Sequence, residues 1–530
     1  MLPKSKREIL LLAAATAITR FVFRSHSLYD LDSLGFALGV EHFDPRVYQP
    51  HPPGYFLYIC LGKLFHNFIP DVNLALVILS IVASCGAAAL IYQMSYEWFG
   101  IRAARFSGLI FLFSPLAWFH GIVALTYIVE AFFSALVGLL CWRVERGSRR
   151  AILPLCLVLG ISAGVRPSSL IFLGPLYLYS LRRVGWKRIA LSVIGLLAVL
   201  LAWFLPMIAA SGGLEPYFGA LFSLWKLVPS RDTVFNSNPA TSIARALTIV
   251  FILVLCFGSA LLAVFWRSKP GAPSDPEKRN FTLVWIAPAL LFFTFIFLKF
   301  VNSGYLLILI APLSIWLGAW AAAWYGNAAW PRVWKRTLVA AGAAVNCLIF
   351  LVSPLYCSYR QVRRHEAELR SLQQALPGIA GTDTLIVGFD SHFLGYRDAG
   401  YALPAYLSIE YPAVRLIEGT RVFAMQKRRT RLLTYLPAKP YTRFVLFPLP
   451  AGEPENRAYL QKVLALLPPR DLRTLSAGGH NFVTAPIADL PLLFPSMPGA
   501  VPAGVSGLRQ SPAPAVNNRV HHLTVLPATR

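Results

Sequence analysis

The residues best suited to chemistry lie between Tyr29 and Tyr58, in the stretch YDLDSLGFALGVEHFDPRVYQPHPPGYFLY. It holds Asp30, Asp32, Glu41 and Asp44, the imidazoles of His42 and His51, and the rigid turn Pro50-His51-Pro52-Pro53-Gly54. A positioned carboxylate can orient or deprotonate a hydroxyl. Positive groups can stabilise an anion as it departs. Residues able to meet an anion recur later: Arg166 in Gly164-Val165-Arg166-Pro167, and Lys299 and Tyr305 around Lys299-Phe-Val-Asn-Ser-Gly-Tyr305. His120 and Glu130 are two more ionisable residues set in apolar sequence. Such groups at membrane depth are costly, which makes them functional candidates.

Each candidate also has a plain structural reading. Asp30 or Asp32 can cap the helix expected to begin near Ser33, because aspartate is a favoured N-cap. The two are two residues apart and share a face only in extended chain. One can therefore cap while the other faces a substrate, and capping lowers a carboxylate's pKa. Glu41 and Asp44 read as a solvated loop face, and His51 as a turn residue among prolines. Arg166 and Lys299 can snorkel to an interface or bind a phosphate. His120 reads as an interfacial histidine and Tyr305 as an interfacial aromatic. Glu130 is hardest to dismiss, since an unpaired carboxylate two turns into a membrane helix is expensive.

The elements that must position these residues are membrane helices. Of 530 residues, 56% are hydrophobic and only 14% charged, against about 25% charged in soluble chains. Mean hydropathy is +0.57. Apolar runs near the roughly 20-residue crossing length fall at about 9–26, 73–95, 103–119, 122–141, 151–165, 168–181, 189–210, 242–265, 281–299, 304–324 and 337–357. The first is read as a transmembrane helix, since no cleavage site follows it. The net charge of +25 does not signal nucleic acid: no reader motif or basic groove is evident, and Lys and Arg collect in short loops. The seven cysteines sit singly in or beside apolar runs, as small buried hydrophobes do. No Walker loop, HExxH, GxSxG or CxxC occurs, and the GxxxG of Gly35 and Gly39 lies outside a long apolar helix.

Charge sets the topology. If the N-terminus is cytoplasmic and 52–69 does not cross, the pieces 1–8, 96–105, 142–150, 182–188, 266–280 and 325–336 are cytoplasmic and hold most of the basic residues of the membrane part. If 52–69 crossed, every later basic loop would face outward. The segment, which contains Lys63, His66 and Asn67, is therefore expected to lie along the outer interface or re-enter it. The fold class is mainly α: about eleven transmembrane helices, interfacial helices in the first outer loop, and a small extracytoplasmic α/β domain. The domains are 1–357 in the membrane, with loop 27–72 catalytic, then 358–490. A Pro/Ala/Gly-rich tail, 491–530, is expected to be disordered.

An acidic motif just after the first transmembrane helix, followed by a Pro-Pro turn leading an interfacial helix, resembles the C-class (GT-C) membrane glycosyltransferases, in their protein-mannosyltransferase and aminoarabinose-transferase branch. The matching residues are Asp30-Leu31-Asp32-Ser33 and Gln49-Pro50-His51-Pro52-Pro53-Gly54-Tyr55. With them go Gly100-Ile-Arg102-Ala-Ala-Arg105, Ser114-Pro115, and Lys299 with Tyr305. The resemblance spans most of 1–357. It implies a polyprenyl-phosphate sugar donor and an acceptor hydroxyl on a glycan, lipid or protein. It makes a carboxylate of the first outer loop the base or acceptor-binding group: Asp32 first, Asp30 second. It also implies phosphate contacts from His51, Lys299 and Tyr305. The aminoarabinose branch has an acidic-Lys pair before Pro-Pro where this chain has Pro50 and His51; the need for a divalent metal is therefore open. One displacement implies inversion at the sugar carbon. Membrane lipids are the remaining partner, and nucleic acid is not one. A bacterial inner membrane, with the site facing the periplasm or exterior, is expected. The rival readings are a lipid or solute transporter or flippase, and an inactive scaffold of the same fold.

Overall fold

The computed structural model describes residues 4–47, 49–227, 239–267, 273–298, 300–328, 330–355 and 357–375, together with five strands and a few isolated positions between 384 and 489. The helices are α1 (Lys4–Val22), α2 (Leu31–Glu41), α3 (Phe56–His66), α4 (Val72–Leu112), α5 (Pro115–His120), α6 (Tyr127–Glu145), α7 (Ile152–Val165) and α8 (Ser168–Leu181). Then come α9 (Trp186–Ala210), α10 (Leu214–Leu227), α11 (Pro239–Phe257), α12 (Pro276–Phe295), α13 (Ile310–Gly326), α14 (Arg332–Val352) and α15 (Tyr359–Ala375). A 3₁₀ segment, Gly258–Trp266, continues α11, and another, Phe300–Leu309, leads into α13. Helices suit this composition because a bilayer leaves no water to satisfy an unpaired backbone group.

Each of the eleven apolar runs is helical over most of its length. Among the described residues, six helical stretches are long and apolar enough to span by themselves, including Val72–Leu112, Tyr127–Glu145 and Arg332–Val352. At 41 residues, α4 would reach about 62 Å if straight, twice a hydrocarbon core. It does not run straight. Gly100 takes φ 82 and ψ −178, and beyond it the chain reverses, so that the Ser95 and Ser107 hydroxyls meet at 2.9 Å. Glycine is suited to this position because a positive φ strains any residue with a Cβ. The runs 73–95 and 103–119 are thus two legs of a hairpin.

Sequence punctuation explains the other breaks. The Ser114 hydroxyl caps α5, whose first residue is Pro115, a combination suited to helix starts. Asp71 caps α4 and Asp275 caps α12. Pro167 cannot continue the α7 hydrogen-bond ladder, and the helix stops at Val165. The core lies where α4, α6 and α13 pack together, with α1 against α4. The outward faces of α9 and α14 expose leucine and valine, as helices facing lipid do.

The 52–69 segment forms only α3, of eleven residues, or about 16 Å, roughly half a bilayer core. It packs against α2, α4 and α7. Gly62 leaves room for Leu76 and Val40, and Gly164 of α7 for Leu57.

After α14 comes α15, then five strands: β1 (Thr384–Phe389), β2 (Ala413–Leu416), β3 (Arg443–Leu446), β4 (Arg473–Ala477) and β5 (His480–Pro486). They form one sheet in the order β2-β1-β3-β5-β4, with β1 parallel to β2 and β3, and β5 antiparallel to β3 and β4. The tail 491–530 lies outside the described residues.

Candidate functional site

Asp30 precedes α2 in extended conformation, φ −124 and ψ 158, and its carboxylate accepts the Asp32 N–H at 2.8 Å. Asp30 is therefore the cap. Capping alone would lower its pKa, but burial outweighs it, and with the neighbouring Asp32 charge pushes the Asp30 carboxyl up to about 7. Asp32 lies in the first turn of α2 with its side chain 36% exposed. Asp30 thus supplies the cap, and the Asp32 carboxylate stays partly exposed beside it.

The Pro-Pro turn brings a second group to Asp32. Backbone bonds between Asp44 and Gln49, at 2.7 and 3.1 Å, close the loop before it. Asp44, buried, holds Arg46 through both carboxylate oxygens at 2.8 Å. The peptide bonds before Pro50 and Pro53 are cis. Gly54 (φ 103) and Tyr55 (φ 48) are left-handed. For tyrosine that conformation is strained, and such strain persists where the surroundings impose it. It starts α3 while leaving the Tyr55 phenol within 3.1 Å of His51 Nε2. The other imidazole nitrogen, Nδ1, is 3.4 Å from Asp32 Oδ1. From α10, Tyr217 donates to the Pro53 carbonyl at 3.0 Å. Asp32, His51 and Tyr55 thus form a polar chain.

A second group meets it at the break between α7 and α8. Arg166 is 3% exposed and Glu130 1%. Arg166 Nε lies 2.9 Å from Glu130 Oε2, and Nη1 donates to Thr126 Oγ1 at 2.7 Å. The Ser168 and Ser169 hydroxyls each donate to Glu130 Oε1 at 3.1 Å. Three phenol rings surround the guanidinium, with centroids at 4.4 Å (Tyr127), 4.5 Å (Tyr305) and 5.9 Å (Tyr55). Rings of this kind favour a cation through their negative faces. Tyr55 thereby touches both groups. Because Glu130 balances its charge, Arg166 offers fixed N–H donors rather than a bare cation.

His120, expected at the interface, is instead 2% exposed, with its ring 5.0 Å from that of Tyr127. Gly304 makes this possible: a Cβ there would lie 2.5 Å from the Tyr127 ring and 2.6 Å from His120 Cε1. Neither His120 nitrogen meets a hydrogen-bond partner among the described residues. Glu41 is not brought in. It pairs with His66 at 3.3 Å, about 14 Å along α2 from Asp32. Lys299 lies outside the described residues. Among the described residues, no three His, Cys, Asp or Glu side chains gather to hold a metal ion, and no step below uses one. The sequence reading missed Thr126, Tyr127, Ser168 and Ser169. Hydroxyl residues on apolar helices are common, and the signal was only that Glu130 and Arg166 each needed partners.

Residues 46–189 match the family model described as the protein O-mannosyl-transferase TMEM260 N-terminal domain. No curated protein sequence matches the chain. Among solved structures, ArnT from Cupriavidus metallidurans bound to undecaprenyl phosphate is similar with a TM-score of 0.61 at 15% identity, over 90% of this chain and 97% of that one. The same protein in its apo state gives 0.60 at 15% identity, over 91% and 98%. The archaeal oligosaccharyltransferase AglB from Archaeoglobus fulgidus, in complex with an inhibitory peptide and a dolichol-phosphate, gives 0.42 at 12%, over 83% and 69%. The chain is accordingly a multi-pass integral membrane protein with an ArnT-like fold, carrying across 46–189 a match to the TMEM260 N-terminal domain.

Proposed function

We propose that the chain is a glycosyltransferase that moves a sugar from a polyprenyl-phosphate donor to an acceptor hydroxyl, inverting the sugar carbon. The observation that carries this reading is the contact chain from Asp32 through His51 and Tyr55 to the buried Arg166–Glu130 group. It sets a base beside an array of donors, on the fold of a protein seen with undecaprenyl phosphate.

In this reaction the acceptor oxygen attacks the anomeric carbon, and the bond from that carbon to the phosphate oxygen breaks. The phosphate leaves with the electron pair. Asp32 takes the hydroxyl proton, and His51 orients it from the far side. Arg166 and Tyr305 donate to the phosphate as its charge grows, with His51 at the edge of the same group. Because the Arg166 charge is balanced, Lys299 supplies the net positive charge. Burial pushes the Tyr55 hydroxyl above its usual range, so Tyr55 stays protonated and acts as a donor. Asp30 is the second carboxylate, holding the start of α2.

The charges of α6 support an outward-facing site. Its first turn carries Glu130 at the site, while its last residue, Glu145, meets Arg182 and Arg183. By the positive-inside rule that basic end favours the cytoplasm, which supports a site on the outer side, at the periplasmic face if the membrane is a bacterial inner membrane. The test is transfer of labelled sugar from a synthetic polyprenyl-phosphate donor by protein reconstituted in vesicles, with product identified by mass spectrometry. Covalent product from the wild type, lost in Asp32→Asn, supports the reading. Counterflow of donor without covalent product would instead make the protein a transporter, and neither activity would leave it a scaffold.

A further inference from the structure

The charged helix α15 follows the last membrane helix and has no part in the chemistry above, yet two of its residues reach the chain beside the carboxylates. The His365 imidazole is 2% exposed and its Nε2 lies 3.0 Å from the Leu28 carbonyl. Glu366, 4% exposed, accepts the His26 N–H at 2.6 Å and the Ser25 hydroxyl at 3.4 Å through Oε1. Its other oxygen accepts from Arg363 at 2.5 Å. The opposite side of the segment is held by the bundle: Ser25 N–H donates to the Ile122 carbonyl at 2.9 Å, and Asn73 donates to the Ser25 carbonyl at 3.1 Å. Tyr29 is wedged between Phe119 and His365, with ring centroids 5.3 and 5.5 Å away.

We infer that His365 and Glu366 are positioning residues: α15 clamps the backbone of 25–29 and thereby sets where Asp30 and Asp32 stand. This rests on the reading of Asp32 as the base. The physical case is one of cost and lever arm. A carboxylate as buried as Glu366 persists only when paired and hydrogen-bonded, and its partners here include backbone two residues before Leu28. From Leu28 to Asp30 the chain spans at most about 7 Å, with no residue flexible enough to absorb a shift. Misplacing a catalytic group by about 1 Å can cost around 10²-fold in rate. Since α15 also begins everything that follows the membrane part, the C-terminal region is tied to the reacting end of the molecule through these side chains.

The experiment uses the full chain in nanodiscs and compares Glu366→Ala, Glu366→Gln and His365→Ala by hydrogen exchange and by steady-state transfer. Glutamine keeps an acceptor for the His26 N–H. The expected result is faster exchange over 25–32 in Glu366→Ala and His365→Ala, with kcat lowered about 10²-fold and the donor KM unchanged, and near-wild-type behaviour in Glu366→Gln. Unchanged exchange over 25–32 in Glu366→Ala overturns the clamp. Faster exchange with unaltered kcat overturns the positioning role. An equal loss of folded protein in the alanine and glutamine variants makes Glu366 a stability residue only. If the wild type transfers no sugar, that failure belongs to the function proposed above, and the exchange arm still decides whether α15 holds the loop.

Discussion

The two ends of α6 pose one problem and solve it differently. Each carries a glutamate that meets arginine, roughly 22 Å apart along the helix. At the first turn, Glu130 and Arg166 are both buried, both oxygens of Glu130 are engaged, and three phenol rings surround the guanidinium. At the last residue, Glu145 is buried, but its partners reach solvent: Arg182 is half-buried and Arg183 is 62% exposed. Arg183 is shared with Glu277, which also takes Arg146 at 3.1 Å. Desolvating a charge pair completely is costly even when it is well bonded. The bundle meets that cost at one end and avoids it at the other. Stability alone does not explain this, because an apolar pair of similar size would do as well at the first turn. On the proposed function, a fixed, dry array of donors beside the partly exposed Asp32 carboxylate does.

Removing half of the dry pair should therefore have the largest effect. Glu130→Leu leaves Arg166 buried without its counter-charge, a loss of about 3–5 kcal/mol, read as a drop in thermal stability in detergent together with loss of transfer. Replacing both, as Glu130→Leu with Arg166→Met, should recover most of the stability and none of the activity. Recovery of both would make the pair a packing feature and remove the contrast with Glu145.

Asp32→Asn comes next. It keeps size and helix position, so melting should barely change, while transfer should fall by at least about 10²-fold. A folded Asp32→Asn protein with full activity would exclude Asp32 as base.

A smaller effect concerns Asp30, whose carboxyl is pushed to about 7 from an ordinary 3.8. Between these values the folded chain binds a proton that the unfolded chain does not. Stability should thus fall as pH rises from about 4 to about 7, then level off. Melting at pH 5 and pH 8 measures it. Asp30→Asn, which still caps, should flatten that difference, and an unchanged slope would assign it to another group.

Most of the fold was legible because a bilayer imposes one solution on apolar sequence. Each run of the required length became a helix, and charge decided that 52–69 should not cross, as the eleven residues of α3 then require. The site was legible only in part. Asp32, His51, Arg166, Glu130 and Tyr305 could be picked out because charge or a turn marked them in apolar surroundings. Their mutual arrangement was not, since Asp32 meets His51 only through a left-handed Tyr55 and a proline turn, which no periodicity encodes. Glu41 carried the same signal as Asp32 and turned out to face His66. The Asp30 pKa was misjudged for a related reason: capping is visible in sequence, whereas the burial that outweighs it depends on packing.

The smallest expected effect tests the other end of α6. Glu145→Gln removes a buried charge but keeps its shape, and the arginines it releases already reach water, where Arg183 retains Glu277. Pairs exposed on both sides are worth about 0–1 kcal/mol; here only the arginines reach water, so a loss at the top of that range, about 1 kcal/mol, is expected in detergent melts, with transfer unchanged. Salt should distinguish the two ends further. Screening acts on charges in contact with solvent and much less on buried ones, so raising ionic strength should erase the small Glu145→Gln difference while leaving the Glu130→Leu loss intact. A Glu145→Gln protein that lost as much stability as Glu130→Leu, at any salt, would mean that the exposure of Arg182 and Arg183 does not lower the cost of pairing, and that the donor array at the first turn is not set apart by the burial of its arginine.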